Sequence, residues 1–494
     1  MSSPESGAFF EGLFSKYRKI FFPIHKSEYV KFFSLLGIFI FISFVYNLLH
    51  NLKDIFFLKS TGKAEILPFI KIYFVAPSML LMIYTYVKLS KSTNPYTRFN
   101  FVIVYFFLVI SLLYGVFLPN LESFKLDKLA DFLSVHFSGM KYLWEALRYW
   151  PITLLYIHGE AWSSIVLSVS FWGLANEIVS FEEAGRIYSF LTSIGSAIGS
   201  ITAGFILKSD FLKKNFNNGI GIVCLSIIIM MIIFNSVKNN LKRHTLIKTP
   251  SFERRKEKKN IIASFKTLFK SKHLFLIFLI VVSYNLFIHF FEAIWKNQVT
   301  IFSQKEGSHF LAIIFGNQSI LIGVFVLIFG FFAPLIKKKG WKITALVTPL
   351  VGIIASTIFC FFLYKGNFIL SFFDIENISS KVVYFSVLIG LLNIVIIKSS
   401  KYVLFDSTKE QAYIPLSASE KLEGKSAIDG VCSRFGKSLG GVILSAPYIG
   451  LIHVFGSISM ATPFISVLMI FILLLWIKSI GSLSISIKKL KNKK

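Results

Sequence analysis

The chain has 494 residues, of which 54% are hydrophobic and only 16% are charged. A soluble globular domain averages about 25% charged residues, so this composition argues against a soluble protein. The formal net charge is +28, but the excess lies in loops between apolar stretches. There it indicates the positive side of a membrane and attraction to anionic lipid, and not nucleic-acid binding.

Apolar runs recur along the whole chain, and most are long enough to cross a hydrocarbon layer about 30 Å thick. Twelve are predicted: 32–50, 68–88, 99–118, 152–175, 187–207, 219–237, 274–294, 312–335, 342–364, 381–398, 427–454 and 461–480. The sequence therefore predicts an all-α polytopic membrane protein with about twelve transmembrane helices.

A basic segment, 238–273, interrupts this series at its midpoint and carries twelve Lys or Arg residues against two Glu. It is predicted to be a cytoplasmic linker that joins two six-helix halves, 1–237 and 274–494. The bias of Lys and Arg between loops places both termini on the linker's side. We therefore expect a multi-pass protein of a bacterial inner membrane with cytoplasmic termini.

The two halves share a short sequence pattern. Five residues separate Tyr46–Leu48 from Asp54, and five separate Tyr284–Leu286 from Glu292, so the offset is 238 in both elements. Such a repeat predicts two parallel halves, as in major-facilitator-type carriers, with a binding site at their interface.

Charged residues inside apolar runs cost roughly 2.5–3.5 kcal/mol each on insertion scales, so each needs a reason. Lys53 and Asp54 are followed by further apolar residues, which predicts a helix that continues past a lumen-facing pair; the alternative is an interfacial lysine that snorkels. Glu160 has apolar residues on both sides and is predicted to be functional, the alternative being a structural ion pair.

Glu292 and Lys296 lie one helical turn apart around Trp295. The simple interpretation is an ion pair within one helix, but Glu292 follows some eighteen residues dominated by apolar side chains, which favours a functional site. His50 lies beside the charges of the first run, and a lone histidine of this kind is more often a hydrogen-bonded filler than a proton carrier.

The polar stretch 398–441 supplies the last candidates. Gly436-Lys437-Ser438 looks like the end of a phosphate-binding loop, but Val431 stands where that motif needs glycine and no strand precedes it. Glycines at 436, 440 and 441 are expected to let the backbone approach a ligand, while Lys437 and Arg434 supply the charge that a polyphosphate needs. No nucleophile–base constellation, metal-ligand spacing or cofactor fingerprint is present, so we expect neither an enzyme nor a cofactor.

At these residues the chain resembles the plastid and intracellular-bacterial ATP/ADP translocases. The resemblance runs along nearly the whole chain, and its main segments are Asn51–Asp54, Glu160–Trp162, Phe291–Lys296, Lys401–Leu416, Gly424-Lys425 and Gly436–Ser438. Two departures bear on nucleobase or phosphate preference: His50 stands where the family usually has arginine, and Leu439 where it usually has glycine.

The resemblance implies a carrier that exchanges ATP for ADP by alternating access and imports host ATP. It assigns the transport roles to Lys53, Glu160, Glu292 and Lys437, with Lys425 as the rival for the last position. Further candidates from the residues around them are His50, Asp54, Trp295, Lys401, Asp406, Lys425 and Arg434.

In the expected mechanism, Lys53 and Lys437 hold phosphates and Trp295 or Tyr46 stacks on the base. Glu160 and Glu292 pair with those lysines in the empty site. The expected partners are ATP, ADP and membrane lipid, with no nucleic acid, and the expected state is a monomer. Alternatives are a proton-coupled or exchange importer of GTP, UTP, CTP or NAD, a non-transporting receptor or scaffold, and a membrane enzyme on a lipid substrate.

Overall fold

The computed structural model describes residues 24–179, 181–243, 268, 270–371, 378–416, 428, 433–446 and 449–491, which are almost entirely helical. Before the linker the helices are α1 Lys26–Thr61, α2 Ile66–Leu89, α3 Pro95–Phe117, α4 Leu121–Phe124, α5 Asp127–His136, α6 Lys141–Arg148, α7 Trp150–Ile178, α8 Phe190–Lys208, α9 Asp210–Lys214 and α10 Asn217–Leu241. After it they are α11 Lys272–Glu306, α12 His309–Ala333, α13 Trp341–Ser371, α14 Ser380–Ala412, α15 Ser433–Ser445, α16 Leu451–Phe455 and α17 Ile458–Leu490.

Eleven helices in the described ranges are long and apolar enough to cross a membrane: α1, α2, α3, α7, α8, α10, α11, α12, α13, α14 and α17. The predicted run 427–454 is wrong in its length. In the described part of that run, helix α15 ends at Ser445 and α16 begins at Leu451, because Gly450 is extended, with ψ 149°. The polytopic α-helical architecture is nevertheless the one that the apolar runs predict.

Helix α1 shows how the charged residues enter the membrane region. Its α-helical part runs from Tyr29 to Thr61, about 50 Å at 1.5 Å per residue, and ends at Gly62, whose φ of 61° is the left-handed conformation typical of a helix C-cap. The prediction that this helix continues past Lys53 and Asp54 is confirmed.

The two halves pack along two seams. Helix α8 lies against α12, where a Cβ on Gly204 would sit 2.5 Å from the Gly316 carbonyl oxygen. On the opposite seam, α15 approaches α2, and a Cβ on Gly441 would lie 2.8 Å from a side-chain carbon of Ile72. Small residues allow this closeness between membrane helices. The space between the seams is where α1, α7, α11 and α14 meet.

One end of this space is closed by hydrogen bonds between the halves. At the end where α1 and α11 finish, Gln304 donates to the Gly62 carbonyl at 2.8 Å and Tyr142 donates to the Gly456 carbonyl at 3.2 Å. Toward the other end, His50 is only partly buried and Tyr402 is 45% exposed, whereas residues 51–58 are all buried. The central space is therefore approached from the end where α1 begins.

Candidate substrate-binding cleft

Asp54 is buried in the central space, where it lies between two lysines. One carboxylate oxygen is 3.1 Å from Lys53 Nζ, and the other is 2.7 Å from Lys296 Nζ. Lys53 and Asp54 belong to α1, whereas Lys296 belongs to α11, so this buried contact joins the two halves. Buried charges persist only when they are paired. Asp54 thus neutralises a lysine from each half.

Glu160 completes the charge balance around Lys53. Its Oε1 is 3.0 Å from Lys53 Nζ and 3.9 Å from His50 Nδ1. The Lys53 ammonium also lies 3.8 Å from the centroid of the Tyr156 ring, a cation–π distance. Helix α7 can approach this closely because position 159 is glycine: a Cβ there would lie 2.9 Å from Lys53 Cδ.

Glu292 pairs with Lys398, whose Nζ lies 2.7 Å from Glu292 Oε1. The simple interpretation of Glu292 and Lys296 as a pair within one helix is wrong, because Lys296 instead contacts Asp54 in the other half. Each charge of that helical turn thus finds its partner on another helix, which a sequence spacing of four residues does not reveal.

Lys71 is a member of this site that the sequence reasoning did not single out. It lines a small pocket together with Glu292, Lys296 and His289. Among the described residues, no carboxylate lies within ion-pair distance of its ammonium. A lysine so near the start of an apolar run looks interfacial in the sequence. The sequence feature that could have identified Lys71 is its position one helical turn inside the run 68–88, in the same half as Lys53.

The two aromatic candidates for stacking on the base, Tyr46 and Trp295, have different surroundings in the structure. Tyr46 borders the cleft: its ring centroid is 5.5 Å from that of His50, and it interacts with Tyr402 of the other half. Trp295 does not border it. Its indole is fully buried between α11 and α14 and donates to the Val387 carbonyl at 2.9 Å. The expectation that Trp295 stacks on a base is corrected accordingly, because the ring fills the helix interface.

Lys401 and Asp406 lie further along α14 and pair with each other at 2.9 Å. The Lys401 ammonium is also 4.7 Å from the centroid of the Tyr402 ring. This charge is therefore locally balanced, and the pair borders the cleft beside Tyr402.

The remaining candidates belong to the polar stretch. Arg434 and Lys437 lie in α15, but their side chains are outside the described part of the structure, as is the whole of Lys425. The sequence predicts that the glycines of this helix let its backbone approach a ligand, but in the structure Gly436 and Gly440 face helix α11. A Cβ on Gly436 would lie 2.9 Å from Asn285 Cβ, and one on Gly440 would lie 2.8 Å from a ring carbon of His289. These glycines bring α15 against α11 and not against a ligand.

Comparison with solved structures agrees with this architecture. The chain is similar to a bacterial homologue of the iron transporter ferroportin, determined in an inward-facing state, with a TM-score of 0.52 over 92% of this chain and 98% of that one. The sequence identity is 13%, so the likeness concerns the fold alone. It supports the major-facilitator-like arrangement that the internal repeat predicts.

Curated relatives match over almost the whole length. ADP,ATP carrier protein 1 of Chlamydia trachomatis serovar D is 31% identical, covering 95% of this chain and 91% of the relative. ADP,ATP carrier protein 2 of the same organism is 33% identical over 94% and 89%. ADP,ATP carrier protein 3 of Rickettsia typhi is 30% identical over 95% and 97%. The family model described as TLC ATP/ADP transporter matches residues 10–486. The chain therefore belongs to the TLC ATP/ADP transporter family, a family of carriers and not of enzymes.

Proposed function

We propose that this protein is a membrane carrier that exchanges ATP for ADP by alternating access. The observation that carries the proposal is the convergence of Lys53, Asp54 and Glu160 from one half with Glu292 and Lys296 from the other in one cleft. Family membership and the names of the relatives supply the substrate class. Such costly charges inside a membrane protein usually mark a substrate or ion pathway.

The charges suit a polyphosphate. Four lysines of the described cleft face three carboxylates, which leaves one positive charge in excess before substrate enters; the lysines are Lys53, Lys71, Lys296 and Lys398. A nucleotide phosphate competes with Glu160 for Lys53, while Lys71 receives phosphate without losing a partner. Lys437 remains the proposed second phosphate lysine that the family resemblance assigns, with Lys425 as its rival.

Obligate exchange follows from the contact between the halves. Separating Asp54 from Lys296 in an empty carrier would leave the buried Lys296 ammonium without its carboxylate, which is costly. A bound nucleotide provides phosphate oxygens for the lysines that the rearrangement releases. Only interactions that differ between two states can shift the equilibrium between them. The loaded carrier therefore reorients and the empty one is held.

Adenine nucleotides are the preferred substrates in this proposal. The three relatives named above are all ADP,ATP carriers, which favours ATP and ADP over GTP, UTP, CTP or NAD and favours exchange over proton coupling. Tyr46 is the aromatic side chain that we assign to stacking on the base, because base–aromatic stacking needs a ring face at the edge of the site.

We place the protein in a bacterial inner membrane, with both termini in the cytoplasm and ATP imported from the host. Termini on one side require an even number of crossings, so we assign a twelfth crossing to α15 and α16 beside the eleven membrane-length helices of the described ranges. The basic linker 238–273 and the tail 488–494 support this orientation through the distribution of Lys and Arg. With it, the closed end of the bundle faces outward and the cleft opens inward. Reporter fusions after residue 243 and at the C-terminus test the orientation, since both should be active only as cytoplasmic reporters.

Uptake of labelled nucleotide into liposomes tests the function. Vesicles that contain the purified protein and internal ADP should take up ATP in a saturable manner, and empty vesicles should not. Excess unlabelled ATP or ADP should abolish uptake, whereas GTP, UTP, CTP and NAD should compete weakly. Uptake that does not depend on internal nucleotide would contradict exchange, and a proton gradient that replaces the internal ADP would establish symport instead.

A further inference from the structure

Two ion pairs occupy equivalent places in the two halves with opposite polarity. In the first half, Lys53 of α1 pairs with Glu160 of α7 at 3.0 Å; in the second half, Glu292 of α11 pairs with Lys398 of α14 at 2.7 Å. Both pairs join the first and fourth membrane-length helices of their half. The lysine stands on the first helix in one half and on the fourth helix in the other.

The sequence offset also relates the two pairs. Glu160 and Lys398 are 238 residues apart, and by the same offset Glu292 corresponds to Asp54, the neighbour of Lys53. A π-helical segment begins at Trp162, two residues after Glu160, and another begins at Lys401, three residues after Lys398. Segments of this kind are uncommon and frequently mark functional sites. Glu160 and Lys398 therefore hold one structural position in two related halves.

Lys398 belongs to the charged cluster of the cleft, because its partner Glu292 lines the pocket beside Lys71. Its side chain is 15% exposed and that of Glu292 is 14% exposed, values close to the 17% of Glu160. Lys398 also interacts electrostatically with His50 across the boundary between the halves. The next lysine on the helix, Lys401, is already held by Asp406. Lys398 is thus the lysine of α14 whose counter-ion comes from another helix of the site.

We propose that Lys398 is a phosphate-binding residue of the carrier, the second-half counterpart of Lys53, and that substrate displaces its counter-ion Glu292. The inference rests on the proposed nucleotide exchange and adds a residue to it. Phosphate oxygens form charge-assisted hydrogen bonds with an ammonium group as carboxylates do. Lys53 and Lys398 then bind the same phosphate chain from the two halves. On binding, Lys53 loses its contact with Glu160 and Lys398 loses its contact with Glu292.

This arrangement selects for the length of the phosphate chain. Two lysines from different halves can each hold a separate phosphate of ADP or ATP, whereas a monophosphate offers a single phosphate to both. ADP and ATP satisfy both lysines, whereas AMP leaves one of them with its glutamate. The discrimination between ADP and AMP should therefore depend on Lys398.

A double-mutant cycle separates phosphate binding from mere neutralisation of Glu292. The variants are Lys398→Met, Glu292→Gln and the double variant, assayed for ATP exchange in ADP-loaded liposomes beside the wild type. If Lys398 binds phosphate, the double variant keeps a KM for ATP about 10- to 100-fold above wild type, as expected for one lost charge-assisted hydrogen bond. The advantage of ADP over AMP as a competitor shrinks in the same variant.

The contradicting result is a double variant with wild-type KM and a wild-type ratio of ADP to AMP inhibition, because Lys398 would then only balance Glu292. Lys398→Arg, which keeps the charge, should retain more ATP affinity than Lys398→Gln; equal affinities would also overturn the inference. Lys213→Met, in an exposed pair with Asp210, is the control. Wild-type protein without any exchange would refute the proposed function itself, and is thereby distinguished from failure of Lys398 alone.

Discussion

Replacement of Asp54 tests the idea that one carboxylate holds the two halves together. The contact of 2.7 Å with Lys296 corresponds to about 6 kcal/mol of attraction at an effective dielectric constant of 20. Desolvation offsets much of this energy, and removal of one partner from a buried pair typically costs about 3–5 kcal/mol. Asp54→Asn leaves Lys296 buried without its carboxylate, so we expect a loss of stability of that size.

The charge balance predicts the order of stability of Asp54→Asn, Lys296→Met and the double variant. Lys296→Met should be milder than Asp54→Asn, because Asp54 keeps Lys53 at 3.1 Å. The double variant should recover stability, because Lys53 and Glu160 then remain as a neutral pair. Melting temperatures of the purified proteins in detergent measure this order. The reasoning is refuted if Asp54→Asn has the melting temperature of the wild type. It is also refuted if the melting temperature of the double variant is no higher than that of Asp54→Asn.

Four further substitutions probe the cleft. Lys71→Met should raise the KM for ATP about tenfold with little change in melting temperature, because Lys71 has no ion pair to lose in the described part of the chain. Gly159→Ala places a Cβ 2.9 Å from Lys53 Cδ, so it should cost about 1–3 kcal/mol of stability and slow exchange. Trp295→Phe should lower the melting temperature, since the buried indole loses its hydrogen bond, without changing nucleobase preference, whereas Tyr46→Ala should weaken that preference.

Gly330→Ala meets no atom within 4 Å and should leave exchange unchanged; an equal loss in both glycine variants would remove the steric argument. A large fall in melting temperature for Lys71→Met would show that this lysine has a structural role. Altered competition by GTP in Trp295→Phe, with Tyr46→Ala normal, would restore the tryptophan to the base site.

The fold was predictable because a membrane-spanning helix requires a continuous run of apolar residues, which the local sequence shows directly. Eleven of the twelve apolar runs correspond to membrane-length helices, and the helix around Lys53 continues past its charges. The length of the run 427–454 was not predictable, since hydropathy does not register the break between Ser445 and Leu451.

The site was predictable in four of its charged members but not in Lys71, Lys398 or the pairing. Lys53, Asp54, Glu160 and Glu292 stand out as charges in apolar surroundings, and the structure brings all four to the boundary between the halves. The partner of Glu292 could not be found from sequence, because Lys398 is more than a hundred residues away and sits at the end of its predicted run.

The sequence also could not show which aromatic residue faces the cleft. Tyr46 and Trp295 are equally suited to stack on a base when only residue type is known. Their helical positions differ, however, and the structure buries the Trp295 indole against α14 while Tyr46 remains at the cleft. Which face of a helix meets a neighbour is a tertiary property, and spacing within one helix does not determine it when both faces are apolar.

The most direct test of the shared cleft is ligand-induced stabilisation of the purified protein, compared between wild type and Lys53→Met. A ligand that binds only the folded state stabilises it by RT ln(1 + [L]/Kd), about 2.7 kcal/mol at a hundredfold excess over Kd. We predict that ATP and ADP raise the melting temperature of the wild type, that adenosine does not, and that Lys53→Met loses the response while remaining folded. An ATP response that survives in Lys53→Met, or one that adenosine reproduces, would contradict a polyphosphate site built from these charges.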